Sequence, residues 1–470
     1  MLHRIINNLK TCPQDVCYEC SGAVYRNWEL YRLICRITQY LRKHNPSKQP
    51  VAVCGQKEFF MLASFLACAC AGMAYVPIDA SIPEERKKRI LAQIRPVVTI
   101  DKTVELLAEE GEPSELTEIC MADEDVVYII FTSGSTGEPK GVQITYRNLK
   151  SCMQWLESLC RVEHSVILNQ ASYSFDLSVA DLYLPLLTRS SHFILEQGIQ
   201  KDYARLFRTL QASKAEMAVF TPSFLELLLV DSSFNAELMP QFKTVLLCGE
   251  KLTGKTAELL FQRFPGVRLI NCYGPTECTF AVTSAEITDP SDVSIGTPKD
   301  DTDVFVVNDR MEALGEGETG ELLIVGESVG KGYLNQTGDS RFFRYQGRNA
   351  FLTGDYGYWR NQKLYCIGRK DTQIKLNGYR IELAEIENIL NRFEQIERAA
   401  VAAKKRDGKV TRILAFVKLK PDCGLSASNV RARLKTELPA YMIPRIQLVE
   451  QFPLTENGKV DTKALLEDMA

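Results

Sequence analysis

The chain has 470 residues, which at roughly 150 per domain allows about three domain-sized units and excludes a single small module. Its 56 basic and 59 acidic residues leave a formal charge of −3, without the cation excess of a phosphate-backbone binder, so no nucleic acid partner is expected. A hydrophobic share of 45% with 24% charged residues is that of an ordinary soluble globular protein with a substantial core.

In chain order, the opening MLHRIINNLK has no apolar run followed by a small-residue cleavage site, which predicts a cytoplasmic protein. Cys12, Cys17 and Cys20 have the spacing of the first three ligands of a plant-type iron–sulfur loop, but no fourth ligand stands at a telling position. The same stretch, VCYECSGAVYR, reads as two strands around a Ser21-Gly22 turn. Phe59 to Val76 is too rich in Ala, Cys and Gly for a membrane span and is predicted as a buried helix and strand. The 15 cysteines, scattered through such apolar segments, read as reduced core thiols. After Ser81 a helix is expected: Ser81 and Glu84 have capping-box spacing, Pro83 sits in the first turn, Ile90, Leu91 and Ile94 form a stripe, and Pro96 is the stop. The four histidines, His3, His44, His164 and His192, have no metal-ligand spacing, and no G-x-S-x-G elbow marks a hydrolytic serine.

Alternating strand-like and helix-like segments predict an α/β architecture with parallel sheets, and no 20- to 50-residue repeat suggests a solenoid. From about Asp300 the pattern changes to short β-rich runs (DVFVVND, GELLIVGE, KLYCIGR), as in a barrel-like or antiparallel subdomain. A boundary is expected near Arg369 to Asp371. Beyond it, LAEIENILNRF is an amphipathic helix, RILAFVKL a strand and ASNVRARLKTEL a helix ended by Pro439.

The chemistry is concentrated in four stretches. VVYIIFTSGSTGEPKGV is an apolar strand entering a loop whose glycines let backbone amides converge on an anion, while Thr132, Ser133, Ser135 and Thr136 add hydroxyls and Lys140 a charge. It is a phosphate cradle or a surface turn, and not a Walker A loop, since Pro139 precedes Lys140 and Gly141 follows it. In NCYGPTECTFAVT, Tyr273 offers a flat face for a purine and Glu277 a carboxylate for Mg²⁺. FLTGDYGYW places Asp355, and then LYCIGRKD places Arg369, where a ribose could be gripped. In LTENGKVD, Lys459 lies on a Gly-containing turn and, by itself, reads as a solvated lysine.

Together and in this order, YVPIDASIPEER, the Ser/Thr/Gly loop, SYSFDLSVADLY, LLCGEKL, NCYGPTE, GELLIVG, TGDYGYW, GRKDTQIKLNGYRIELAEIE, LPAYMIPR and LTENGKVD resemble the ANL superfamily of adenylate-forming enzymes over nearly the whole chain. Within it they are most similar to the amino-acid adenylation domains of nonribosomal peptide synthetases and to the D-alanine carrier protein ligases. The resemblance implies a large N-terminal domain, residues 1–369, of two sheet-and-helix subdomains plus a β-barrel-like subdomain. It also implies a small mobile α+β C-terminal domain, residues 370–470, that carries the adenylation lysine. The implied cofactors are ATP and Mg²⁺. The ATP-binding residues carried over are Thr132, Ser133, Gly134, Ser135, Thr136 and Lys140; Asn271, Cys272, Tyr273, Gly274, Pro275 and Thr276; and Asp355, Cys366, Ile367, Gly368, Arg369 and Lys459. Tyr273 would stack on adenine, Asp355 would accept the ribose hydroxyls, Glu277 would hold the metal, Asp371 would be the hinge and Lys459 the catalytic residue that bridges substrate carboxylate and nucleotide.

By the same resemblance, Asp176 would hold the substrate α-ammonium; by pattern alone it is as readily a helix N-cap. Leu177, Ala180, Leu246, Cys248, Cys272, Phe280 and Ala281 would line the side-chain pocket, with Lys459 at its carboxylate end. All seven are apolar or thiol, which favours a small or medium apolar amino acid. Cys248 and the YSFDLS and KLNGYR stretches point to D-alanine, whereas Ala180 and Phe280 depart from those ligases and redistribute pocket volume. With no G-x-[DH]-S carrier segment in the chain, the implied partners are a free amino acid and a separate acyl or peptidyl carrier protein bearing phosphopantetheine, with no membrane insertion. The expected function is therefore ATP-dependent formation of an aminoacyl-AMP and transfer to the carrier thiol, D-alanine favoured. The alternatives are a stand-alone adenylation enzyme of nonribosomal peptide synthesis for another apolar amino acid, an acyl-CoA ligase, which would have no Asp176, and a catalytically inactive adenylate-binding protein.

Overall fold

The structure, a computed structural model, describes residues 1–104, 114–134, 138–336, 338–369, 373–406, 409–421, 423–453 and 460–467. The chain is mixed α/β and forms two compact units. The first comprises Met1–Ala80, Ile94–Ile130 and Gly141–Gly368; the second comprises Ser81–Gln93, Phe131–Lys140 and Arg369–Ala470.

A nine-stranded sheet dominates the first unit. Its order runs Thr297–Pro298, Thr283–Ile287, Arg268–Tyr273, Thr244–Leu247, Met217–Phe220, Val166–Asn169, Ser191–Ile194, Val16–Cys20, Ala23–Arg26. The central strands pair in parallel and are buried on both faces, as expected where helices cover both sides. Successive side chains enter different cores: Met217, Val219, Leu246, Ile270 and Cys272 join one, while Ala218, Phe220, Val245, Leu247 and Leu269 join the other. The strands Val16–Cys20 and Ala23–Arg26 form a hairpin that turns on Ser21 and Gly22, both at positive φ, in keeping with the sequence reading. His192 lies buried between the Cys17 and Leu182 carbonyl oxygens, 2.7 and 2.9 Å from its ring nitrogens, in a structural setting.

The apolar run beginning at Phe59 is the helix Phe59–Ala71, buried along its whole length, followed by the strand Tyr75–Asp79. Gly72 closes the helix at φ 74°, where a Cβ would lie 2.9 Å from the Cys120 carbonyl oxygen, so both conformation and space require glycine. A five-stranded antiparallel sheet is built from Thr302–Val307, Gly320–Gly326, Arg348–Arg360, Phe342–Tyr345 and Lys363–Arg369, which is the β-rich region expected after Asp300. No helix among the described residues is long and apolar enough to cross a membrane. All fifteen cysteines are free thiols.

In the second unit, the strands Gln373–Leu376 and Tyr379–Glu382 turn on Asn377 and Gly378, at φ 53° and 82°, the residue pair a two-residue hairpin favours. The expected helix, strand and helix follow as Leu383–Asn391, Lys409–Leu419 and Ala427–Glu437, packed round their own core of Ile386, Ile389, Leu390, Val430 and Leu434. The helix Glu84–Ile94 belongs to this unit up to Gln93. From it Arg86 reaches Glu385 at 2.8 Å, with side-chain exposures of 5% and 0%, and Arg89 pairs with Glu437.

Burial raises the Glu385 carboxyl above its usual range, while Arg86 opposes the shift. A carboxyl raised in the folded state contributes stability at low pH and loses it as pH climbs through the folded value. Arg86→Met removes the opposing charge and is expected to cost about 3–5 kcal/mol near neutral pH, and less at a lower pH where Glu385 protonates. Urea unfolding at the two pH values measures the difference; a penalty independent of pH would show that the pair does not carry it.

Candidate active site

The NCYGPTE stretch begins in the last three residues of the strand Arg268–Tyr273, which is paired on both sides within the nine-stranded sheet. Asn271 spends its side-chain amide on the Ser294 carbonyl at 2.7 Å. Tyr273, 5% exposed, donates its hydroxyl to Asp355 Oδ2 at 2.7 Å, and Asp355 is itself 3% exposed. Burial, reinforced by the Asp355 charge, drives the Tyr273 phenol far above its normal range, so it stays a donor. Asp355 is set by the turn at Thr353 and Gly354: its backbone N–H donates to Thr353 Oγ1 at 3.0 Å, and Gly354, at φ 77°, donates its N–H to Glu321. After Tyr273 the chain passes Gly274, where a Cβ would stand 2.6 Å from Ala281 Cα, and Pro275, and forms the short turn Thr276–Cys278. Glu277 is fully buried and accepts from the Tyr333 hydroxyl, which in turn accepts from Arg341 Nη2 at 2.8 Å. Cys366 is half-buried, and Ile367 and Gly368 are exposed on the strand Lys363–Arg369.

The amino-acid pocket residues also meet. Leu177, Ala180, Leu246, Cys248, Cys272, Phe280 and Ala281 belong to one buried cluster. Strand alternation explains the grouping: Leu246 pairs with Ile270, so Leu246 and Cys248 face the same side as Ile270 and Cys272. Phe280 and Ala281 arrive from a turn with left-handed φ at Thr279 and Phe280, and Cys248 Sγ lies 3.9 Å from the Phe280 carbonyl oxygen. Burial raises the Cys272 thiol well above its usual range, and the neighbouring Cys152 thiol to about 12, so this wall is neutral. Asp176 is half-buried in the segment before the helix Ser178–Leu187. That helix has Leu177, the residue after Asp176, at its N-cap position.

The phosphate loop lies in the second unit. Thr132 ends the strand Val126–Thr132 half-buried, and Lys140 begins the strand Lys140–Thr145 half-buried. Ser133 is buried, donates its hydroxyl to the Arg380 carbonyl at 2.9 Å and accepts from the Glu382 N–H at 3.2 Å. Gly134 donates its N–H to Glu385 Oε2 at 3.2 Å, so an amide predicted to meet an anion has a carboxylate on it. Arg369, at the start of this unit, is half-buried. Ser135, Thr136, Asp371 and Lys459 lie outside the described residues.

Sequence reasoning missed Tyr128, Tyr333 and Arg341. Tyr128 reads as one more apolar strand residue in VVYIIF, yet its hydroxyl is buried with no hydrogen-bond partner among the described residues. Burial above all keeps it un-ionised. Tyr333 and Arg341 lie 56 and 64 positions beyond Glu277, and no local pattern links them to it.

Comparison with known proteins agrees with this arrangement. The family model described as AMP-binding enzyme matches residues 8–334, and the AMP-binding enzyme C-terminal domain matches residues 385–459. The chain is 39% identical to the D-alanine--D-alanyl carrier protein ligase of Listeria monocytogenes serotype 4b (strain F2365), covering 99% of this chain and 98% of that protein. It is 38% identical to the ligase of the same name from Bacillus licheniformis, covering 89% of each. The adenylation domain AlmE of Vibrio cholerae, solved with glycyl-adenosine-5'-phosphate, shares the fold with a TM-score of 0.87 at 23% identity, over 99% of this chain and 97% of that one. By its residues, its fold and these matches, the chain belongs to the AMP-binding enzyme family.

Proposed function

We propose that the protein is an amino acid–carrier protein ligase that joins D-alanine to AMP and then passes the D-alanyl group to the phosphopantetheine thiol of a separate carrier protein. The observation that carries this reading is the identity of 38–39% with D-alanine--D-alanyl carrier protein ligases along essentially the whole chain. The pocket supports it: a neutral, thiol-bearing wall beside Asp176 suits a small zwitterion, since the ammonium needs a counter-charge and the methyl group needs none.

In the first half-reaction a substrate carboxylate oxygen attacks the α-phosphorus of ATP and pyrophosphate leaves. In the second, the carrier thiol attacks the acyl carbon and AMP leaves. Two unit charges about 4 Å apart repel by roughly 4 kcal/mol at an effective dielectric of 20, so the attack needs cations. Lys459, on a mobile domain from residue 370 with its hinge at Asp371, and Lys140 are assigned that role. Thr132, Ser133, Gly134, Ser135 and Thr136 would take the pyrophosphate-bearing end of the nucleotide. Tyr273, Asp355 and Arg369 would take its nucleoside, alongside Asn271, Gly274, Pro275, Thr276, Cys366, Ile367 and Gly368. Glu277 fits Mg²⁺ as one hard-oxygen ligand, and no cluster of three or more His, Cys, Asp or Glu among the described residues competes for it, so phosphate oxygens and water would complete the shell. When bound, the ion would neutralise phosphate charge.

One observation favours a second reading. The Ala180 and Phe280 pocket positions depart from the ligase pattern, which would suit a different small or medium apolar amino acid in nonribosomal peptide synthesis.

Amino-acid-dependent pyrophosphate exchange tests the assignment with D-alanine, L-alanine, glycine and larger apolar amino acids. D-alanine is expected to give the highest kcat/KM. A bulky L-residue in first place would move the enzyme to peptide synthesis, and no exchange with any amino acid would refute the activity. Asp176→Asn should raise the amino-acid KM at least about 100-fold with the ATP KM little changed, because about 3–5 kcal/mol is lost when a buried ion pair loses one partner. Tyr273→Phe should do the reverse, raising the ATP KM about tenfold by withdrawing a charge-assisted hydrogen bond from Asp355.

A further inference from the structure

Three charged side chains lie inside the first unit and have no part in the assignments above: Lys57, Asp79 and Asp181, respectively 3%, 5% and 0% exposed. Each grips the same stretch of chain. Lys57, just beyond the strand Val51–Gly55, donates from Nζ to the Asn169 carbonyl at 2.8 Å and the Gln170 carbonyl at 3.0 Å. Asp181, on the helix Ser178–Leu187, accepts from the Gln170 N–H and the Asn169 side-chain amide, both at 3.2 Å. Asp79, last residue of the strand Tyr75–Asp79, accepts from Ser172 Oγ at 2.7 Å and from Gln197 Nε2 at 3.0 Å, and Ser174 Oγ donates to the Pro77 carbonyl at 3.1 Å. The stretch so held, residues 169–174, leads directly to Asp176.

One ammonium and two carboxylates inside an apolar core are expensive, and aliphatic side chains of similar volume fill such a space at lower cost. Simple packing therefore does not account for them, whereas precise placement of the segment does. A catalytic or binding constellation must be held within about 0.5 Å, and a shift of about 1 Å costs on the order of 100-fold in rate.

We propose that Lys57, backed by Asp181, is a positioning residue for the amino-acid substrate: by clamping the two carbonyls that open the 169–177 segment, it fixes where Asp176 presents its carboxylate to the substrate ammonium. This rests on the role of Asp176 proposed above. Lys57 is the donor with the greater reach, since one ammonium spans two successive carbonyls, while Asp181 takes the intervening N–H; the peptide between Asn169 and Gln170 is thus held from both sides. The pair is also electrically coupled. Burial pulls the Lys57 ammonium down to about 8 against the Asp181 charge, and burial pushes the Asp181 carboxyl up against Lys57.

The test compares full-length wild type, Lys57→Met, Lys57→Arg, Asp181→Asn and the Lys57→Met/Asp181→Asn double variant. The readouts are the KM values for D-alanine and ATP in pyrophosphate exchange, and hydrogen–deuterium exchange of the peptide spanning residues 169–177. Lys57→Met should raise the amino-acid KM at least tenfold, leave the ATP KM within twofold, and speed exchange in that peptide with little change in peptides from the strand Arg268–Tyr273. Lys57→Arg should restore most of the KM. The double variant, which removes both charges, should fall short of the summed effects of the singles. Equal rises in both KM values, an unchanged amino-acid KM in folded Lys57→Met, or exchange that quickens throughout the unit would overturn the proposal. Should Lys57→Met not fold, Asp181→Asn carries the same comparison, and an unaltered KM ratio in it overturns the proposal. Wild type without amino-acid-dependent exchange would instead sink the proposed activity, and the deuterium readout would still decide whether Lys57 orders the segment.

Discussion

The hydrogen bond from Tyr273 to Asp355 is the constraint on which the rest of the site depends. It is 2.7 Å long, buried at both ends, and joins an interior strand of the nine-stranded sheet to the five-stranded one. A carboxylate taken out of water needs donors, and a phenol held un-ionised supplies one without adding charge. Because Tyr273 is fixed there, Cys272, one residue earlier, projects to the opposite face of the strand and into the cluster that holds the amino-acid pocket. Alternate residues of a single strand thus enter two different buried clusters. A one-residue slip in register would exchange them, so pairing of Leu246 with Ile270 and of Cys272 with Ser284 fixes both subsites at once.

The turn after this strand completes the arrangement. Left-handed φ at Thr279 and Phe280 is unusual for side chains with a Cβ, and it brings Phe280 and Ala281 back against Gly274, which has no room for one. The pocket wall and the nucleotide-side strand therefore press on each other through backbone, not through adaptable side chains. Phe280, whose ring fills space at the pocket, has its position set by that backbone.

Much of this was legible before any coordinates. The helix Phe59–Ala71, the Ser21-Gly22 hairpin and the helix–strand–helix order after Arg369 follow from periodicity and turn residues, which are local properties. The seven pocket positions could be grouped only through family resemblance, because strand pairing across 24 residues (Leu246 with Ile270) leaves no local mark. Lys57 was not legible at all. In GQKEFF it reads as a solvent-facing lysine at a turn, and only long-range folding puts its ammonium on carbonyls 112 and 113 residues away. Asp181 was hidden for the opposite reason: in SVADLY it breaks an apolar pattern as a surface residue would, yet the helix Ser178–Leu187 is buried on every side.

The charges then divide by purpose. The pocket wall is neutral, its thiols kept protonated by burial, so that a single carboxylate beside it can be decisive. In contrast, Lys57, Asp79 and Asp181 are buried polar groups spent on the segment that leads to Asp176: Lys57 on the Asn169 carbonyl, Asp181 on the Gln170 N–H and Asp79 on the Ser172 hydroxyl, so each is satisfied by the chain it holds.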